Sequence, residues 1–164
     1  MIRKAEKNEL DVILAVYDKA RAFMRSNGNM NQWINGYPSR DILEKDIENG
    51  NLFVLYDDSS VYGVFMFRKG HDRTYDIIRD GSWMDDSEYG VIHRIASDGT
   101  HKGVLGEALR FVSSFTDHIR IDTHSDNIPM QNALRKEGFT RCGIIVCDDG
   151  TDRIAFERLQ HKAL

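Results

Sequence analysis

From Leu10 onward, apolar side chains recur at Ile13, Leu14, Tyr17, Ala20, Phe23 and Met24. That spacing marks one face of a helix, and Asn27-Gly28 ends it. A polar and aromatic connection, NGNMNQWINGYP, follows. Ser39 then stands as a helix N-cap, with Pro38 before it and Asp41 in the first turn. Ile42, Leu43 and Ile47 give that second helix its apolar face, and Gly50 closes it. Residues 2–6 read as a short first strand. The runs LFVLY (52–56) and VYGVFMF (61–67), joined by DDSS, read as a hairpin. Residues 69–88 are charged and irregular, with an Asp80-Gly81 turn beside Trp83.

The second half is more regular. YGVIHRIA (89–96) has the composition of a strand. Leu105, Ala108, Leu109, Val112 and Phe115 mark an amphipathic helix, and HIRIDTH (118–124) a strand with Ile119, Ile121 and Thr123 on one face. DNIPMQNALRKEGF is a helix with Pro129 in its first turn and Gly138 as its C-terminal cap. Residues 139–147 and 153–158 form a last hairpin around Asp149-Gly150. The order is β-αα-ββ-β-α-β-α-ββ. Hairpins demand antiparallel pairs, whereas the strand–helix–strand from 89 to 124 is a crossover between parallel neighbours. The class is therefore α/β, with a mixed, mostly antiparallel sheet flanked by helices.

The 164 residues are one domain's worth, 1–164, and 41% hydrophobic with 29% charged residues is the balance of a globular chain. A net charge of −4 argues against nucleic acid as a main partner. No apolar run reaches the roughly 18 residues of a membrane span. MIRKAEKNEL holds no apolar signal core, so a cytoplasmic protein is expected. Cys142 and Cys147 lack metal-ligand spacing, and five residues apart on a strand they face opposite ways. They read as two small buried strand residues.

The loop between the parallel strands, ASDGTHKGVLGEAL, is where a ligand belongs, because sites in open α/β sheets lie beyond the carboxyl ends of parallel strands. Gly103 and Gly106 allow close approach of the backbone. The first-turn N–H groups of the following helix point at the same spot, which suits a phosphate or pyrophosphate. Lys102 and His101 add charge. A Walker loop requires Lys after its last Gly, and a Rossmann fingerprint requires GxGxxG; neither pattern is present. A glycine-rich turn that merely starts a helix accounts for the pattern equally well.

The run IHRIASDGTHKGVLGEAL, then IRIDTHSDNIPMQNALRKEGF and the closing hairpin, resembles the GNAT acetyltransferase superfamily over essentially the whole chain. The resemblance implies a sheet whose central parallel strands splay apart to admit a cofactor. It implies transfer of an acetyl group from acetyl-CoA to an amine within a ternary complex. The family's loop, Arg/Gln-x-x-Gly-x-Gly/Ala, falls on His101, Val104 and Gly106, so two of its three sites depart. By the same resemblance Ile95, Ala96, Ser97, His101, Lys102, Gly103, Val104, Leu105, Gly106 and Asn127 would contact the cofactor. Where many members carry a tyrosine that protonates the departing thiolate, this chain has Leu134.

Direct attack by an amine requires proximity, an oxyanion donor and a base. Alternation places Arg120, Asp122 and His124 on one strand face, where they pair with each other and with His93 or Arg94, or line a cleft. His124 and Asp122 are first candidates for the base or its orienter. Glu88 stands at the start of strand 89–96, where many members of the family it resembles place a carboxylate base, and is another candidate, or a solvated loop charge. His93 reads as a core histidine bonded to a backbone carbonyl. The resemblance puts the acceptor against the region after the first helix and the loop before strand 89–96, so Trp33, Tyr37 and Trp83 would wall it, or the two tryptophans close the core. No metal site is expected. Alternatives are a non-catalytic acyl-CoA-binding module and an acyltransferase using a longer acyl-CoA or a hydroxyl acceptor. The edge of the last hairpin is a place where a second copy could pair to form a homodimer.

Overall fold

The computed structural model describes residues 1–160. Its elements are β1 (Ile2–Lys4), α1 (Leu10–Ser26), α2 (Arg40–Glu48), β2 (Leu52–Tyr56), β3 (Val61–Lys69), β4 (Gly90–Ser97), α3 (Val104–Val112), β5 (His118–Thr123), α4 (Ile128–Lys136), β6 (Thr140–Val146) and β7 (Asp152–Leu159). This is the order that the hydrophobic pattern predicts. Ser39 caps α2 by accepting from the Ile42 N–H at 3.4 Å. Asn127 caps α4 by accepting from the Met130 N–H at 3.2 Å. Phe115 is not on the helix expected of it: α3 stops at Val112, and Phe115 is half exposed with its ring against Phe111.

The seven strands form one sheet in the order β1-β2-β3-β4-β5-β7-β6. All neighbours are antiparallel except β4 and β5. In β2 and β3, Leu52, Val54, Val64 and Met66 pack under α1 and α2, while Phe53, Leu55, Phe65 and Phe67 pack with α3 and α4 on the other face. Both faces are covered, so these strands are apolar at nearly every position. Among the described residues no helix is long and apolar enough to cross a membrane.

The parallel pair meets only at Gly90↔Ile119 and Val91↔Arg120. Beyond Val91 the two strands diverge and leave a gap in the middle of the sheet. This is the splay that the resemblance implies.

The irregular stretch 70–89 packs over a small cluster of Tyr75, Tyr89, Val91, Ile145 and Ala155. It is fastened at three points. Arg79 exchanges two backbone hydrogen bonds with Ile144 of β6, at 2.9 and 2.8 Å. This bridge covers part of the edge of the last hairpin. Gly81 lies so close to β6 that a Cβ there would sit 1.9 Å from the Cys142 carbonyl oxygen, so only glycine fits. The third fastening is Glu157, which is fully buried and accepts from Met84 N (2.5 Å) and Arg120 Nε (2.9 Å) and bonds His118 Nε2 (2.5 Å). Trp83 belongs to this fastening. Its indole donates to the Tyr75 carbonyl at 2.9 Å, and the Arg120 guanidinium lies 4.1 Å above its ring. Cys142 is a buried strand residue as expected, but Cys147 lies just past the end of β6.

Candidate active site

The gap between β4 and β5 begins at a β-bulge. Register advances by one residue between Val64↔Ala96 and Met66↔His93, so Arg94 and Ile95 together face Phe65. Such an extra residue re-aims the backbone out of the ladder. Arg94 takes a positive φ of 54°, unusual for a residue with a side chain. Tertiary contacts hold it there. The Tyr17 hydroxyl donates to the Arg94 carbonyl at 2.7 Å. The Arg94 guanidinium reaches Asp46 at 2.6 and 3.1 Å and the Tyr37 hydroxyl at 3.1 Å. Burial pushes the Asp46 carboxyl up, and Arg94 opposes that rise. Helix α1, helix α2 and the loop between them thus fix the conformation of the central strand.

Two connected chambers open from the bulge. The smaller, about 470 Å³, is mostly apolar and reaches from α1 and α4 to the start of α3. Ile95, Ala96, Ser97, His101, Gly103, Val104, Leu105 and Asn127 all line it. Gly103 adopts a φ of +78° as the residue before α3, a conformation that glycine takes without strain. The first turn of α3, whose N–H groups have no partner within the helix, supplies Val104 and Leu105 to the chamber's lining. Lys102 is exposed and outside the lining. Gly106 plays a packing part instead: a Cβ there would meet the Glu137 carboxylate at 2.9 Å. His101 is anchored at the rim, its ring stacked on Tyr62 at 3.8 Å and its Nε2 3.1 Å from Asp57.

The larger chamber, about 1170 Å³, is lined by Trp33 and Tyr37, by His93 and Asp122 on the diverging strands, and by charged residues of 68–74 and 147–153. Met24, Ile95, Asn127 and Met130 border both chambers. Asn127 is engaged at both ends, since its Nδ2 donates to Gln32 Oε1 at 2.9 Å while its Oδ1 caps α4. Through this bond the loop after α1 joins the start of α4 across the junction.

His93 is the central polar group of the larger chamber. It bonds no carbonyl. Its Nε2 lies 2.8 Å from Asp72 and its Nδ1 3.6 Å from Asp122. Asp122 accepts from the Tyr75 hydroxyl at 2.7 Å. Asp72 also accepts from Arg68 at 3.1 Å and from the backbone and hydroxyl of Thr74. Burial and the neighbouring Asp122 push the Cys147 thiol up to about 12. Asp72, in the stretch without a periodic pattern, carries no local signal of this role.

Other candidates lie apart. Glu88 is exposed and paired with Lys69 at 2.9 Å, outside the chambers. His124 follows the end of β5, outside both linings, and its Nδ1 accepts from the Asp126 N–H at 3.0 Å. Burial, with the charge of Arg153, pushes its pKa down. Arg120 shares a face with Asp122 but is drawn away to Glu157. Trp83 closes the small cluster under 70–89 and does not reach the cleft. Leu134 is fully buried in the core with no polar group to offer.

Burial works to raise the pKa of Asp72, but the bond and charge of His93 and the bonds from Thr74 outweigh it and hold the carboxyl well below the usual range. A carboxyl depressed in the fold adds stability that is complete above its unfolded value, about 3.9, and is lost as pH falls toward the folded value. Wild type is expected to exceed Asp72→Asn by on the order of 2 kcal/mol from pH 5 to 7. The difference should shrink below about pH 4. Urea melts across pH check this, and a constant difference down to pH 3 contradicts it.

Among solved structures, the fold matches a GNAT-family acetyltransferase from Streptococcus agalactiae 2603 with a TM-score of 0.88 and 34% identity, covering 99% of this chain and 96% of that one. A Staphylococcus aureus Mu50 structure, provisionally named an acetyltransferase, matches with a TM-score of 0.71 and 25% identity over 97% and 98% of the two chains. A GNAT-family acetyltransferase from Bacillus cereus ATCC 10987 shares the fold at a TM-score of 0.65 and 20% identity over 99% and 98%. No family model and no curated protein matches the sequence.

Proposed function

From the premise that this chain belongs to the GNAT family of acetyltransferases, we propose that it moves an acetyl group from acetyl-CoA to the primary amine of a small molecule, amino acid or peptide by direct attack. The observation that carries this reading is the gap between β4 and β5, where an apolar chamber ending at a helix N-terminus meets a larger chamber whose charged lining includes His93.

The residues present fit the cofactor. The first-turn N–H groups of α3 suit its pyrophosphate, and the apolar walls of the smaller chamber suit its thioester arm. Acetyl-CoA supplies the acetyl group as a thioester. The bulge at Arg94 and Ile95 turns a backbone N–H out of the ladder, where it would stabilise the developing oxyanion. His93 would take the proton of the attacking amine. Its Nδ1 is the available nitrogen, because 3.6 Å to Asp122 is beyond hydrogen-bond length, while the shorter bond to Asp72 fixes the ring. The new bond joins the amine nitrogen to the acetyl carbon as the C–S bond breaks. With Leu134 at the position of the family's tyrosine, the thiolate would take its proton from water.

Acetyl-CoA at a hundredfold excess over its Kd should stabilise the fold by about 2.7 kcal/mol, a rise in Tm of roughly 5–10 °C. Thiol release should then appear on adding an amine. Absence of any thermal shift at millimolar cofactor refutes the reading. The buried Leu134 favours one other reading, a non-catalytic acyl-CoA-binding module; a thermal shift with no thiol release from a broad amine panel would select it.

A further inference from the structure

Four arginines and four aspartates line the larger chamber. Three of the arginines are within hydrogen-bond reach of a carboxylate: Arg68 to Asp72 at 3.1 Å, Arg73 to Asp148 at 2.8 Å and Arg94 to Asp46 at 2.6 Å. Arg153 is the exception among the described residues. It is 7% exposed, yet its nearest carboxylate, Asp149, lies 3.8 Å away. Its Nη1 donates only to the neutral Thr151 hydroxyl at 2.7 Å and to the Asp152 carbonyl at 2.8 Å. A guanidinium has five N–H donors and cannot shed its charge. Burying one without a bonded anion is costly.

Asp122 is the counterpart. It lines the same chamber, and no arginine or lysine among the described residues pairs with it. Its polar neighbours are the Tyr75 hydroxyl at 2.7 Å, His93 Nδ1 at 3.6 Å and the Cys147 thiol at 4.0 Å. The sheet fixes how these two charges stand. Asp122 is opposite Ala155 in the β5–β7 register, and Arg153 is two residues along β7 from Ala155. Side chains two apart share a face. Asp122 and Arg153 are therefore diagonal neighbours, about 7–8 Å apart along the backbone. They do not meet each other, but one small molecule can touch both.

We propose that the acceptor is a free amino acid, or an amine with a carboxylate on the adjacent carbon, whose carboxylate is received by Arg153 and whose ammonium is received by Asp122. This rests on the acyl-transfer reading above. Opposite charges one carbon apart match a carboxylate with no arginine or lysine partner and a guanidinium with no hydrogen-bonded carboxylate, set diagonally on one sheet face. Asp122 brings the ammonium beside His93 Nδ1, the nitrogen placed to take its proton. The remaining volume, walled by Trp33 and Tyr37, accommodates the amino acid's side chain. A polyamine would leave Arg153 unanswered, and a peptide N-terminus offers no carboxylate on the adjacent carbon.

The test is thiol release from acetyl-CoA with a panel of free L-amino acids, each matched to its methyl ester, its decarboxylated amine and a short peptide beginning with it. Wild type is expected to favour a free amino acid over its matched forms by about ten- to a hundredfold in kcat/KM, the worth of a charge-assisted bond. Arg153→Gln should erase that preference mainly through KM, and Arg153→Lys should restore part of it. Equal or better use of the esters, amines or peptides overturns the proposal. So does an Arg153→Gln protein that melts as wild type does and keeps the preference. If Arg153→Gln fails to fold, the wild-type ratios and Arg153→Lys decide alone. No turnover of any amino acid while acetyl-CoA still raises the Tm overturns the proposal and leaves the cofactor site standing. No thermal shift with acetyl-CoA removes the underlying reading instead.

Discussion

His93→Gln is expected to bind acetyl-CoA as wild type does and to turn over about 10²–10⁴-fold more slowly, the usual worth of a positioned general base. Glutamine can still donate to Asp72, so the ring's anchor at 2.8 Å has a substitute and the local fold should survive. What disappears is a nitrogen able to accept a proton at the wall of the larger chamber. The thermal shift with acetyl-CoA should be unchanged, because the smaller chamber's lining does not include His93. Asp122→Asn should have a smaller effect on kcat and a larger one on the acceptor's KM. Steady-state kinetics with thiol detection measure both. A His93→Gln protein within threefold of wild-type kcat removes His93 from the chemistry and returns Asp122, Glu88 and His124 to consideration.

Glu157→Ala should be the most destabilising single change on the far side of the sheet. Glu157 is fully buried, and its carboxylate serves Arg120, His118 and the Met84 N–H together. Removing it strands a guanidinium that is 5% exposed and takes the acceptor from the Met84 N–H. Breaking one side of a buried ion pair costs about 3–5 kcal/mol. At this chain length that lowers the Tm by on the order of 10 °C. Stretch 70–89 should loosen first, since Met84 and Arg120 tie it to the sheet. Trp83 fluorescence reports that loosening ahead of the global melt. A loss under about 1 kcal/mol means that Arg120 and His118 are not left uncompensated without the carboxylate, and it overturns this assignment.

The element order is legible in the sequence because period and punctuation agree: stripes at 3.6 for α1 to α4, β-rich runs for the strands, and caps at Ser39 and Gly138. The smaller chamber is equally legible, since it follows from a loop's place after a parallel strand. The polar chamber is not. Asp72 and Arg153 come to it from an irregular stretch and from a hairpin's mouth, and neither carries a periodic cue. His93 reads as a core residue because alternation reports a face and not a gap in the sheet. The bulge at Arg94 has no glycine to betray it; its positive φ is imposed by Tyr17 and Asp46, dozens of residues away. Trp83 and Glu157 share one cause. An aromatic in a charged loop reads equally as a binding wall or as a core lid, and a carboxylate in the strand DRIAFERL carries no mark of burial, until Arg120 links the two.

The two-residue pairing of β4 with β5 has a mechanical meaning. A sheet resists bending in proportion to the ladder that crosses each line, and this line is crossed only at Gly90 and Val91. The seven strands therefore behave as two stiff plates, β1 to β4 and β5 with β7 and β6, joined at one end by a narrow hinge. Rotation about that hinge widens or narrows the gap without breaking a single ladder bond. Opening of the cleft is then opposed by side-chain bonds that cross the seam, such as Asn127 to Gln32 and Tyr75 to Asp122, and not by the ladder.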